Sequence, residues 1–221
     1  AVLLLMALVT LSCAILPTEK PNADKPIKIL NTARQLLKQP IFLLFLATGG
    51  LGQASHAVLF GFATLHWRSI GYSDVVIGLL WAEGVVAEMV LFWLGSRLLN
   101  RFGAVNLIAL GAAVGVLRWI IIGLTDALWL SFFSQALHAF TFGAAHLGAM
   151  HFIARAAPPE LSATAQSLHS SVGMGIAVGL VMAGAGVLYE SYGKGAFLFM
   201  AIISAASLSM ALALAYRWNG K

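Results

Sequence analysis

Glu83, Glu88, Arg118, His56, His138, His146, His151 and His169 all fall within long apolar stretches of this sequence. An ionisable side chain in such a setting costs several kcal/mol in lipid unless a partner or a water-filled cavity receives it. A carboxylate in low dielectric holds its proton firmly, and an arginine beside it loosens that hold. An acid and an arginine that engage and separate can therefore take up and release a proton. Histidine adds a group that can hydrogen-bond a solute, relay a proton or tie helices together. The chemistry these residues suggest is proton exchange tied to solute binding. Patterns of soluble catalysis are missing from the sequence: it has no glycine-rich phosphate loop, no nucleophile elbow and no metal-spaced histidine pair. His138 and His146 are too far apart to share a metal without further ligands, so neither a cofactor nor an enzyme activity is expected.

The elements that must hold these residues are membrane helices. Of 221 residues, 60% are hydrophobic and only 10% charged, and the mean hydropathy is +0.90. A water-soluble globule of this size could not hide so much apolar surface. Runs of about eighteen or more apolar residues match a hydrocarbon core of about 30 Å. A membrane β-barrel would alternate apolar and polar residues, whereas residues 104–124 are apolar all round. The fold class is all-α, a polytopic helix bundle. Spans are expected at 41–66, 75–96, 104–124, 127–152, 163–188 and 195–216, with residues 1–16 as the surviving end of another. Between that end and the span at 41–66 lies a linker, 17–39, with Pro17, Pro21 and Pro26 and a short amphipathic piece over 29–37 at the membrane surface. Residues 40–221 then form one six-helix domain. Short loops make successive helices antiparallel neighbours.

Lysine and arginine set the orientation. Alternate loops carry Lys20, Lys25, Lys28, Arg34, Lys38, then Arg97 and Arg101, then Arg155, then Arg217 and Lys221. The opposite loops hold Arg68 and Lys194. Ten against two, of thirteen in all, places the linker and the C-terminus in the cytoplasm. The basic balance, pI 9.7, thus belongs to membrane topology, and no nucleic-acid partner is expected. The single cysteine, Cys13, excludes an intrachain disulfide. Residues 1–16 lack the basic start of a signal peptide, and Thr10 stands where a lipoprotein signal would want leucine. The chain is therefore read as a fragment of a longer protein.

Helix geometry brings the chemistry together. At 1.5 Å per residue, Glu83 lies about 20 Å from the cytoplasmic end of its span, Glu88 about 14 Å, and Arg118 and His138 about 21 Å each. Gln135, His138, Phe142 and His146 fall at i, i+3, i+7 and i+11, a polar stripe suited to the wall of a wetted cavity. Trp81, Gly84, Glu88, Phe92 and Gly95 make another stripe, from which Glu83 points about 140° away. Only one acid is expected to face the cavity, and the mate of Arg118 is Glu88 or Glu83. Gln166, His169 and Gly173 repeat a polar line, while His66 and His151, near span ends, are expected at the surface. Gly49, Gly50 and Gly52 mark either a bend or close packing. Gly111 with Gly115, Gly175 with Gly179, and Gly184 with Gly186 have the spacing of close helix packing.

Ser96, Leu98, Asn100, Arg101 and Gly103 together resemble the cytoplasmic loop signature G-x-L-x-D-R-x-G of major facilitator transporters, with Ser for Gly and Asn for Asp. The run Gly186, Leu188, Tyr189, Glu190, Tyr192, Gly193 resembles the end of the eleventh helix in that superfamily. Gly84 to Glu88, Arg118-Trp119, and Gln135, His138, Thr141, Phe142, Gly143 and His146 look like the phenylpropionate permease group, relatives of the lactose:proton symporters. The resemblance covers helices six to twelve of a twelve-helix fold, with residues 1–16 as the end of helix six, and implies an N-terminal half on the same polypeptide. It implies proton coupling by Glu88, Arg118 and His138. No acid follows the histidine here, where Thr141 and Phe142 stand. Gln135, His146, Trp81, Trp119, Phe142 and Gln53 are the expected solute contacts. The function expected is proton-coupled uptake of a small organic solute across a bacterial-type inner membrane by alternating access. An aromatic carboxylate is the first solute, a sugar or nucleoside the second. A proton-driven exporter and a membrane-embedded accessory or enzyme subunit are the rivals.

Overall fold

The structure, a computed structural model, describes residues 29–218 and 220, with side chains from residue 33. The expected span end at 1–16 and most of the linker lie outside the described residues. Among the described residues there is helix and no strand. The amphipathic piece is α1, Ile29–Leu37. It sinks Leu36 fully into the end of the bundle, beside Phe42, Ala157 and Leu214.

The first span is two helices, α2 (Pro40–Ala54) and α3 (Ala57–Ser69). Pro40 opens α2, where its missing N–H removes no helical bond. The break at Ser55 and His56 has a local cause: the Ser55 hydroxyl and the His56 ring Nδ1 both donate to Gly52 O, at 2.7 and 3.0 Å. Such side chains compete with the backbone ladder. The bend therefore falls after the glycine cluster. Gly49 lies under His169, Gly50 against Val172 and Ala177, and Gly52 against the Ser207 hydroxyl, so these glycines pack helices.

The second span, α4 (Asp74–Trp93), starts at Ser73, whose hydroxyl accepts from the Val76 N–H at 3.4 Å. Asp74 in its first turn complements the helix dipole. A short α5 (Gly95–Phe102) carries the loop signature and stops at Gly103, whose φ of +76° favours glycine. Next comes α6, Ala104–Leu124, with the bounds expected from sequence. The fourth span is α7 (Leu128–Ala136), a π-helical segment Ala139–Ala144, and α8 (Ala145–Ala156). The fifth is α9 (Ser162–Ser170), a π segment Ser171–Ala177, and α10 (Val178–Tyr192). It folds back at Gly193, φ +53°, into α11 (Ala196–Arg217).

Four helical stretches among the described residues are long and apolar enough to cross a membrane: Pro40–Ser69, Asp74–Trp93, Ala104–Leu124 and Pro159–Arg217. The last holds two spans on either side of the Gly193 turn. The fourth span is missing from this set because Gln135, His138, His146 and His151 make it less apolar than the others.

Contacts fix the directions. Gly123 meets Leu198 and Gly115 meets Ser204, so α6 and α11 are antiparallel. Gly84 meets His138, Gly143 meets Glu88 and Gly95 meets Leu147, so α4 runs parallel to the fourth span. Gly49 meets His169, Gly61 meets Met182, and Phe62 stacks on Tyr189, so the first and fifth spans are parallel.

One end of the bundle gathers Arg34, Lys38, Arg97, Arg101, Arg155 and Arg217. The other holds Arg68, paired with Asp74, and Lys194, paired with Asp126. His66, expected at the surface, is buried there at 4% exposure, 3.6 Å from Asp126 and against Phe197. A carboxylate supplied by the loop between the third and fourth spans lets that histidine sit inside. His151 is exposed, as expected. Close packing holds for Gly111 and Gly115 but not for Gly175, Gly179 or Gly184, around which a side chain would meet nothing within 4 Å.

These glycines separate packing from mere composition. Gly148→Ala would drive a methyl group into the Ala104 carbonyl and to 2.9 Å from Ile108 Cγ1. It is expected to destabilise the detergent-solubilised protein by about 1–3 kcal/mol. Gly179→Ala is expected to leave stability unchanged or to raise it by up to about 1 kcal/mol through helix propensity. Equilibrium unfolding of the two variants side by side measures both.

Candidate functional site

Arg118, midway along α6, is fully buried. The fourth span supplies its partners. Arg118 Nη2 donates to Gln135 Oε1 at 2.6 Å, and Nη1 donates to Thr141 Oγ1 at 3.0 Å and to His138 Nδ1 at 3.1 Å. Its guanidinium lies over the Trp119 ring, 4.8 Å from the centroid. Gln135 is itself oriented by donating from Nε2 to Leu80 O at 3.1 Å. The Arg118 Nε has no partner among the described residues.

Donor and acceptor rules fix the histidine tautomers. Arginine can only donate, so His138 Nδ1 accepts and its ring proton sits on Nε2. That nitrogen faces Glu88 Oε2 at 3.9 Å, too long for a direct hydrogen bond. His56 Nδ1 must donate to Gly52 O, so Nε2 accepts from the Thr141 hydroxyl at 3.1 Å. Thr141 thus accepts a hydrogen bond from Arg118 and donates one to His56. The ring of His56 also meets Trp119 and His138 edge-on, at 5.0 and 5.9 Å. The π segment Ala139–Ala144 carries Thr141, and such wide turns are frequent at functional sites.

The expected mate of Arg118 is not a carboxylate. Among the described residues no acid lies within ion-pair distance of it, and His138 stands between Arg118 and Glu88. The physical reason is that three neutral acceptors, Gln135, Thr141 and His138, occupy the guanidinium on the side of the fourth span. Of the two acids, Glu88 stands beside His138, whereas Glu83 leaves Oε2 buried without a partner.

The polar stripe is split. Gln135 turns inward to Arg118. His138, Phe142 and His146 stack in order along a half-buried face, His138 on Phe142 at 5.4 Å and 24°, Phe142 on His146 at 6.1 Å and 7°. Phe92 of α4 meets His146 edge-on at 6.4 Å. Trp81 is tied down by donating to Thr64 Oγ1 at 3.1 Å. Trp119 is wholly buried beneath Arg118 and His56. Gln53 is buried on the far side of the first span, and His169 and Gly173 face it and Gly49, while Gln166 is exposed. In the loop signature, Ser96, Asn100 and Arg101 are exposed. Arg101 lies over Phe102 at 5.7 Å and makes no ion pair among the described residues.

Sequence reasoning gave no role to His56 and none to Thr141 as an Arg118 partner. A histidine in mid-span was the available signal for the first. Nothing in the residue types announces the π turn that presents the second.

Residues 1–201 match the MFS_1 like family. The chain is 39% identical, over 72% of its length, to the probable 3-phenylpropionic acid transporter of Escherichia coli (strain K12), covering 42% of that protein. It is 29% identical to the maltose permease of Geobacillus stearothermophilus over 88% of this chain and 46% of that one. With the uncharacterized transporter YwbF of Bacillus subtilis (strain 168), it shares 24% identity over 91% of this chain and 51% of that one. The chain spans about half the length of the curated relatives it matches.

Thr141 is the joint of the network. Thr141→Val keeps the shape and removes the hydroxyl, taking one of the two acceptors from Arg118 Nη1 and the donor from His56 Nε2. It is expected to cost about 1–3 kcal/mol in detergent unfolding, and Thr141→Ser to recover most of that loss.

Proposed function

We propose, for a chain that belongs to the MFS_1 like family of major facilitator transporters, that its protein couples uptake of a small organic acid to proton entry by alternating access. The observation that carries the reading is the buried Arg118, charged by chemistry and surrounded by neutral partners, with Nε unengaged. A solute carboxylate supplies the missing negative charge, and bidentate recognition of carboxylates suits arginine. The stacked rings of His138, Phe142 and His146 beside it offer an aromatic surface. An aromatic carboxylate is therefore the first substrate class, in keeping with the likeness to a probable phenylpropionic acid transporter. A sugar is the second, in keeping with the maltose permease.

In this reading Glu88 carries the proton. His138 must hold its own proton on Nε2, toward Glu88, while Arg118 occupies Nδ1. A carboxylate that draws Arg118 away frees Nδ1 and alters what Glu88 faces. Gln135 holds Arg118 in place, and His146, Phe142, Trp81, Trp119 and Gln53 shape the surroundings. The basic end of the bundle is cytoplasmic, as is the C-terminus, in a bacterial inner membrane. The site closes against an N-terminal half of the same polypeptide, rocking about the midplane.

Transport by the full-length protein in vesicles separates these roles. Glu88→Gln is expected to keep solute counterflow, which needs no net proton movement, and to abolish uphill uptake. Arg118→Met is expected to lose counterflow of an aromatic carboxylate by at least about tenfold, the equivalent of about 1.4 kcal/mol. Undiminished uphill uptake by Glu88→Gln would refute the coupling role.

A further inference from the structure

Bordering the Arg118 network on the side of His56 and Thr141, a small cavity of about 20 Å³ lies among α2, α6, α8, α9 and α11. That volume suffices for one water molecule. Its lining is more polar than an apolar bundle needs, with Gln53, His56, His146, His169, Ser204 and Ser207 among the residues around it. The serines have spent their protons, Ser204 on Ala112 O at 3.0 Å and Ser207 on Thr48 O at 2.8 Å. Two side chains have polar atoms with no partner: Gln53 Oε1 and His169 Nδ1, both buried with 8% exposure. A buried polar atom left bare costs about 1–3 kcal/mol, and native interiors meet such groups with ordered water.

The cavity also marks where helices lose regularity. The Ser55–His56 break and Thr141 of the first π segment border it, and His169 lies just before the second π segment. Irregular backbone at membrane depth is tolerated where it is enclosed in protein or lines a wet cavity.

We infer that this cavity is a resident hydration site: one water molecule donates to Gln53 Oε1 and exchanges a hydrogen bond with His169 Nδ1, joining the first span to the fifth. The acceptor-rich lining needs a small donor. No carboxylate lines the cavity, which favours neutral water over a metal cation. The water serves as a joint, solvating polar groups as the spans flex, a role that rests on the transport reading whereas the hydration itself does not. Gly49 gives access to a clean perturbation, because a Cβ there would stand 2.7 Å from His169 Cε1 and 3.1 Å from Nδ1.

Two measurements on the full-length protein test this. A density map resolving ordered water should show a peak within hydrogen-bond distance of both Gln53 Oε1 and His169 Nδ1, unchanged when sodium is replaced by choline. A dry cavity, or a peak that vanishes with sodium, overturns the hydration site. In vesicles, Gly49→Ala is expected to slow maximal counterflow about tenfold, about 1.4 kcal/mol in barrier, with KM within about threefold. Gly175→Ala, whose Cβ meets nothing within 4 Å, should match wild type. Wild-type counterflow in Gly49→Ala overturns the joint even if Glu88→Gln behaves as a coupling residue should. If Glu88→Gln leaves uphill uptake intact, the coupling reading falls, while the density map still decides the water.

Discussion

A guanidinium buried in an apolar bundle must be met by hydrogen bonds, and most of the local architecture around Arg118 follows from that need. Leaving its donors bare would cost more than most single interactions contribute. The fourth span therefore turns three acceptors toward α6, from Gln135, His138 and Thr141. The helix widens into a π segment just after His138, and Thr141 lies within it. The second span must then come close enough for Leu80 O to hold Gln135, which it does where Gly84 packs on His138. The first span closes the set through His56, whose position depends on the break beside it. Four of the six spans are thus registered to one another through a single charge.

The apolar spans were legible because lipid imposes a simple demand on composition, and α6 begins and ends where the sequence alone placed it. Partition of the charges was legible for the same reason, since loops need no tertiary contact to keep a lysine in water. The pairing of Arg118 was not. Periodicity says which residues share a face, but it cannot say that the histidine on the neighbouring helix reaches the guanidinium before a carboxylate two helices away in sequence does. His66 shows the same limit: its burial depends on Asp126, sixty residues on. Neither π segment carries a proline, and their glycines, Gly143, Gly173 and Gly175, do not stand out from the many others in these spans, so local residue types did not single them out.

Glycine gave both correct and incorrect guidance, and the difference is one of surroundings. Gly111, Gly115 and Gly148 lie where backbones or side chains come within a methyl's reach. Gly175 and Gly179 have the same spacing, yet face open space. Spacing defines a narrow strip on a helix, and only the neighbour decides whether that strip is used. The cluster at Gly49, Gly50 and Gly52 went a third way: it admits the fifth span and Ser207, and leaves the bend to the side chains of Ser55 and His56.

The insertion of a histidine between arginine and acid has consequences that a direct ion pair would lack. A carboxylate locked to Arg118 would have to be displaced before any anionic solute could bind, and the desolvation already spent on the pair would oppose the exchange. Neutral partners leave the positive charge uncompensated and so available to an anion. At the same time the tautomer of His138 is slaved to Arg118: while Nδ1 accepts from the guanidinium, the only ring proton is on the nitrogen facing Glu88. Any event that shifts Arg118 is therefore felt at Glu88 through one imidazole, without the two charged groups ever touching. The proposed coupling between a solute anion and a proton needs such a link between two sites that respond to each other, and in that proposal the link is this one ring.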